Sequence, residues 1–207
     1  MKKMPEIRKF KRAFKSEILC ASFWHSNLVV GSKNGLLLLD RSDEGKVHPL
    51  ISRRRFSKIE VLSETGVMIT VSGKKGKLRA YSLQWFRQYA QNKALAKGYQ
   101  QFTPIGDIDD CTHYQVARYE RMLFLCVAHG MKVSVFLWAP APYSRFMVFK
   151  EFEVPQQPQK VNLSVGEDES LRLIYAASSG FFSIDVSSGQ VLNLYRPRGL
   201  PKTVGTL

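Results

Sequence analysis

A hairpin-sized segment recurs along this chain, and that recurrence restricts the fold more than any other feature. Leu28–Ser42 (LVVGSKNGLLLLDRS) aligns with Leu173–Ser187 (LIYAASSGFFSIDVS) at an offset of 145 residues, and Gly35/Gly180, Asp40/Asp185 and Ser42/Ser187 coincide. Weaker copies are Val67–Gly73 leading to Leu78–Leu83, and Leu123–His129 leading to Val133–Trp138. Each copy is an apolar strand ending in small residues, a tight turn, and a second apolar strand. The copies begin near residues 28, 67, 123 and 173, a spacing of 39 to 56 residues. That is the period of a four-stranded propeller blade. A two-sheet sandwich supplies similar strands without this recurrence. The predicted class is all-β: an incomplete β-propeller of about four blade-like units with one inserted helix.

The remaining pattern agrees. Fifteen strands are predicted: Ile18–Trp24, Leu28–Ser32, Leu36–Asp40, Lys46–Ile51, Ile59–Leu62, Val67–Ser72, Leu78–Leu83, Tyr114–Tyr119, Met122–Ala128, Val133–Trp138, Phe146–Val154, Val161–Val165, Leu171–Ala177, Phe181–Val186 and Val191–Tyr195. All are of strand length. Asn34-Gly35, Glu44-Gly45, Ser179-Gly180 and Ser188-Gly189 supply turn chemistry between them. Gln84–Lys97 breaks the texture with good helix formers, carries Trp85 and Tyr89 four apart, and stops at Gly98. It is predicted as a helix at about 84–97 whose aromatics pack on the adjoining sheet.

With 207 residues and 44% apolar content the chain can bury a core. It holds 31 Lys and Arg against 17 Asp and Glu, a net charge of +14, which suits polyanions, acidic proteins or anionic lipid. The basic stretch 1–15 supplies +6 of it: seven Lys and Arg against Glu6. It lacks the apolar region of a secretory signal, and no apolar run approaches the ~20 residues of a spanning helix. Arg53, Arg54 and Arg55 form a second cluster with Lys58, and Lys74, Lys75 and Lys77 form a third with Arg79. On one rim of a propeller they would make a positive face for an acidic partner. Arg53, Arg54, Arg55, Lys74, Lys75 and Lys77 are therefore the candidate partner-binding residues.

Catalytic and metal chemistry find no constellation. Cys20, Cys111 and Cys126 are far apart, form no C-x-x-C, and read as reduced thiols of a cytoplasmic protein. Cys126, within an apolar run, is expected to be an inert buried thiol. His25, His48, His113 and His129 share no zinc spacing. Asp107, Asp109 and Asp110 lack a calcium-loop frame and read as an acidic loop. Gly73-Lys-Lys-Gly-Lys77 has the wrong spacing for a phosphate loop and is followed by a strand, so it reads as a hairpin turn. No cofactor is expected. Nucleic acid is not expected as a partner, because the sequence holds no recognisable nucleic-acid module.

Glu17–Trp24 (EILCASFW), the run LVVGSKNGLLLLDRSDEGKVHPLISRRRFSKIEVL, VSGKKGKLRAYSL, HYQVARYERMLFLCVA and WAPAPYSRFMVFKEF together resemble a citron homology domain. The resemblance is to the version found in Ste20-type germinal centre kinases of the Nck-interacting and misshapen subgroup. It implies a non-catalytic β-propeller that regulates a kinase or exchange factor by binding other proteins. It further implies engagement of Rap-type small GTPases or signalling scaffolds and coupling toward Jun N-terminal kinase signalling. No kinase motif occurs: Val-Ala-Ile-Lys, His-Arg-Asp and Asp-Phe-Gly are all missing from the sequence. Family domains close a ring of about seven blades, so a chain with four units is expected to be a fragment, a short form or half of an assembly. The expected organisation is a basic arm at 1–15, a partial citron homology propeller at 16–196 and a tail at 197–207. The alternative use of the basic surface is peripheral contact with an acidic membrane.

Overall fold

The structure, a computed structural model, describes residues 14–41, 45–91, 100–166 and 168–197. The basic arm, apart from residues 14 and 15, and the tail beyond residue 197 lie outside the described residues, as do positions 92–97 of the predicted helix. The chain divides into two compact units, residues 1–104 and 105–207.

The first unit contains two four-stranded antiparallel sheets in sequential strand order. One is β1 (Ile18–Trp24), β2 (Asn27–Ser32), β3 (Gly35–Asp40) and β4 (Lys46–Ser52). The other is β5 (Phe56–Leu62), β6 (Val67–Ser72), β7 (Lys77–Ser82) and β8 (Phe102–Pro104), with helix α1 (Leu83–Gln91) inserted before the last strand. The faces meet because alternate residues are apolar: Val29, Leu36 and Leu38 from the first sheet pack with Phe56, Ile59, Met68 and Tyr81 from the second. Helix α1 begins where the Ser82 hydroxyl accepts the Trp85 amide at 3.2 Å, an N-cap bond. It closes the cluster with Trp85 and Phe86, and Trp85 stacks on Tyr89 at 4.8 Å. The predicted docking of the helix aromatics is what the structure shows.

The second unit repeats the plan. β9 (Cys111–Tyr119), β10 (Met122–His129), β11 (Lys132–Ala139) and β12 (Arg145–Glu153) form one sheet. β13 (Lys160–Val165), β14 (Leu171–Ala177), β15 (Gly180–Asp185) and β16 (Val191–Tyr195) form the other. Phe124, Cys126 and Val135 of the former pack against Val161, Leu173, Tyr175 and Ile184 of the latter.

The sequence repeat has a structural cause. Gly35 opens β3 and Gly180 opens β15, and in both strands the pairing with the outer strand slips by one residue immediately afterwards. Leu36 faces Ile51 but Leu37 faces Pro49; Phe181 faces Tyr195 but Phe182 faces Asn193. A Cβ at Gly35 would lie 2.6 Å from the Ile51 carbonyl oxygen, and one at Gly180 would run into the Tyr195 carbonyl oxygen. Glycine is required by close backbone approach at a bulge. At Asp185 the side chain accepts the amides of Ser187 at 3.0 Å and Ser188 at 2.7 Å and the Ser188 hydroxyl at 2.9 Å, which fixes the turn that follows β15.

Among the described residues sixteen strands stand where fifteen were predicted. The additional one is β8, three residues ending in proline, too short for any alternation to show. It pairs with β7, opposite Arg79–Tyr81.

Candidate interaction surface

Strand direction decides which loops of the first unit share an end. β2 runs into the Lys33-Asn34 turn, β4 runs into Arg53–Arg55, and β6 runs into Gly73–Gly76. Backbone bonds tie these loops together. Arg53 donates its amide to the Asn34 carbonyl at 2.9 Å, and Gly73 donates to the Arg55 carbonyl at 2.8 Å. Gly73 and Gly76 hold positive φ of 82° and 59°, so the Gly73–Lys77 run is a hairpin turn, as predicted, and lifts Lys74 and Lys75 into solvent. The two basic clusters, about twenty residues apart in sequence, are thereby adjacent in space.

The six candidate residues differ in availability. Arg53, Arg55, Lys74 and Lys75 are exposed. Arg54 is half-buried and its Nη1 donates a 2.6 Å hydrogen bond to the Tyr81 hydroxyl, so it fastens the loop to the core. Lys77 is half-buried as the first residue of β7. Arg79, also basic in sequence, is spent on the Ser72 carbonyl and hydroxyl at 3.1 and 2.9 Å and on the face of Phe102. Lys33 beside them pairs with Glu17. The exposed charges on this end are thus dominated by two arginines and two lysines, a positive edge suited to an anionic surface.

The second unit holds a cluster that sequence inspection missed. His129 Nε2 lies 2.8 Å from the Ser134 hydroxyl, and that hydroxyl donates to Glu151 Oε1 at 3.1 Å. His129 and Glu151 border a cavity of about 600 Å³ also lined by Asp107, Lys132 and Glu153. The trio has the composition of a hydrolytic triad with the wrong polarity. The single hydroxyl proton goes to Glu151, so Nε2 must donate to Ser134 and cannot act as its base. Ser134 is fully buried as well. Burial pulls the His129 pKa below its ordinary value, with Glu151 opposing the shift and Lys132 adding to it. The arrangement reads as a buried polar network. Its one sequence signal was a serine on the apolar strand Val133–Trp138.

Elsewhere burial quiets the thiols. Cys126 is pushed up to about 12 by desolvation. Cys20 is pushed to about 11 by desolvation, with the Gly31 backbone opposing. No group of three or more His, Cys, Asp and Glu among the described residues could hold a metal ion. No helix among them is long and apolar enough to cross a membrane.

Comparison with known proteins matches this architecture. The CNH domain family profile fits residues 24–204. Misshapen-like kinase 1 of Rattus norvegicus is 48% identical over 195 residues, covering 93% of this chain and 15% of that protein. The serine/threonine-protein kinase mig-15 of Caenorhabditis elegans is 40% identical over 200 residues, covering 93% and 18%. The chain therefore spans less than a fifth of the length of these relatives. Among solved structures, the AfRom2 CNH domain superposes with a TM-score of 0.64 at 14% identity, over 86% of this chain and 55% of that one. The N-terminal domain of Nup159 follows a similar course, with a TM-score of 0.56 at 12% identity over 84% and 46%. Four sequential antiparallel sheets and the match of the family profile along most of the sequence lead to one conclusion: the chain belongs to the CNH domain family.

Proposed function

We propose that this chain is a non-catalytic regulatory segment of a Ste20-type serine/threonine kinase, and that its basic end binds the acidic surface of a protein partner. The partner is a Rap-type small GTPase or a signalling scaffold. The observation that carries the reading is the Gly73–Arg55 backbone bond, because it merges two clusters into one exposed edge bearing Arg53, Arg55, Lys74 and Lys75. A rigid sheet framework supports the loops, so little ordering cost attends binding there. Complementary charge on such an edge accelerates encounter and rejects cationic surfaces. Binding alters an attached kinase to the extent that the partner prefers one of its states.

The test is titration calorimetry of the full chain with a GTP-loaded Rap-type GTPase at low and high salt. Affinity is expected to fall with salt, and joint reversal of Arg53, Arg55, Lys74 and Lys75 to glutamate is expected to weaken it about a hundredfold. Affinity and salt slope that survive the reversal would overturn the reading. Co-sedimentation with acidic vesicles that is lost on the same reversal, without GTPase binding, would assign the edge to a membrane instead.

A further inference from the structure

The opposite end of the first unit carries a second feature, independent of the basic edge. Six-residue strands set the two ends about 20 Å apart. At this far end the β1–β2 turn, the β3 terminus, the start of β4 and helix α1 enclose a cavity of about 420 Å³. Trp24, His25, Asn27, Asp40, His48 and Arg87 line it.

Donors outnumber acceptors there. Arg87 lies over the Trp24 ring at 6.0 Å, and its Nη2 donates to His25 Nε2 at 2.9 Å. His25 thus accepts at Nε2 and keeps its proton on Nδ1. Asn27 uses its side-chain oxygen to accept the Arg41 amide, leaving its NH2 as a donor. Arg87 has no carboxylate partner among the described residues. Trp24 is only 6% exposed, yet its indole Nε1–H has no hydrogen-bond partner. Asp40 is the lining carboxylate and has an interaction of its own.

We infer that this cavity binds a phosphoryl oxyanion, as a phosphorylated side chain or as free phosphate. A guanidinium, two imidazoles and an amide NH2 offer more donors than a carboxylate accepts well, and the buried Trp24 ring beneath the guanidinium serves as a reporter of the cavity wall. A phosphoryl group brings three strong acceptor oxygens and nearly two charges, and the guanidinium fork fits it bidentately.

The experiment follows the Trp24 indole N–H resonance in the full chain by 15N-edited NMR during titration with inorganic phosphate and, separately, with a phosphoserine peptide. A saturable shift of the Trp24 resonance, with those of Trp85 and Trp138 still, is expected. Arg87 sits on the exposed face of its helix, so Arg87→Gln should fold normally and weaken binding about tenfold. Asp40→Asn removes a like charge and should tighten it severalfold. Tighter binding of the peptide identifies a side-chain source, and equal binding identifies free phosphate; both support the site. An unmoved Trp24 resonance with either probe, or an Arg87→Gln titration identical to that of the parent chain, would overturn it.

Discussion

The amide of Gly73 donates to the carbonyl of Arg55 across 2.8 Å, and this one bond places two basic loops side by side. Neighbouring Arg54 turns the other way, toward the Tyr81 hydroxyl at 2.6 Å. The triplet Arg53-Arg54-Arg55 is thus divided between surface and scaffold by the turn that leads into β5, where Arg53 holds a φ of 60°.

That division is measurable. Tyr81→Phe leaves the half-buried Arg54 guanidinium without its acceptor and should destabilise the fold by about 1–2 kcal/mol in urea unfolding. Arg53→Ala and Arg55→Ala, on exposed side chains, should stay within about 0.5 kcal/mol of the parent. Equal effects from all three would contradict the assignment of Arg54 to the scaffold.

The glycine-marked bulges predict two costly substitutions. Gly35→Ala sets a methyl against the Ile51 carbonyl, and Gly180→Ala does so against the Tyr195 carbonyl at a φ of 143°. Each should lower stability by about 1–3 kcal/mol, with Gly180 the worse because backbone strain adds to the clash. Gly66→Ala is the control: its φ is also positive, but nothing lies within 4 Å of a Cβ there. It should report the conformational strain alone.

Burial of Cys126 has a pH signature. Desolvation pushes its thiol up to about 12, from an ordinary value of 9.0. Above pH ~9 the unfolded chain sheds this proton while the folded chain keeps it, so stability is complete below that pH and declines as pH rises toward 12. The slope due to this one group is about 1.4 kcal/mol per pH unit. Cys126→Ala should flatten the alkaline limb of a stability–pH curve. In native protein at pH 8, Cys126 should resist alkylation and become reactive on unfolding.

His129 acts at the other end of the scale. Its folded pKa is depressed below 6.5, chiefly by burial, so the unfolded state takes up the proton first as pH falls. The stability it contributes is present above pH ~6.5 and is lost as pH drops through the folded value. NMR titration should place the His129 midpoint below those of histidines in unfolded peptide. Ser134→Ala leaves His129 Nε2 and Glu151 without their shared partner and should cost about 1–3 kcal/mol at neutral pH. Unchanged stability in Ser134→Ala would show that the network is replaced by solvent.

Much of the fold was legible in the sequence because its signals are local. Alternating apolar residues, Asn34-Gly35 and Ser179-Gly180 act over a few positions, and the spacing of the copies reports the four-sheet plan. The helix was legible from its helix formers and from Trp85 and Tyr89 four apart, whereas its N-cap, Ser82, fell within the predicted strand Leu78–Leu83 and is identified by the bond it accepts from the Trp85 amide. β8 escaped because its three residues hold no period and its only support comes from pairing with β7.

The amino-acid order alone therefore determined the hairpin units, their number, the glycines at the bulges and the surplus of positive charge. Tertiary structure decided which charges reach solvent and which side chains become neighbours. Arg55 meets Gly73, Ser134 meets Glu151, and Trp24 meets Arg87 only through strand pairing and sheet packing. The physical reason is range. Turn and strand preferences arise within a few residues, whereas a side chain's partner, desolvation and protonation state depend on segments brought together from far along the chain.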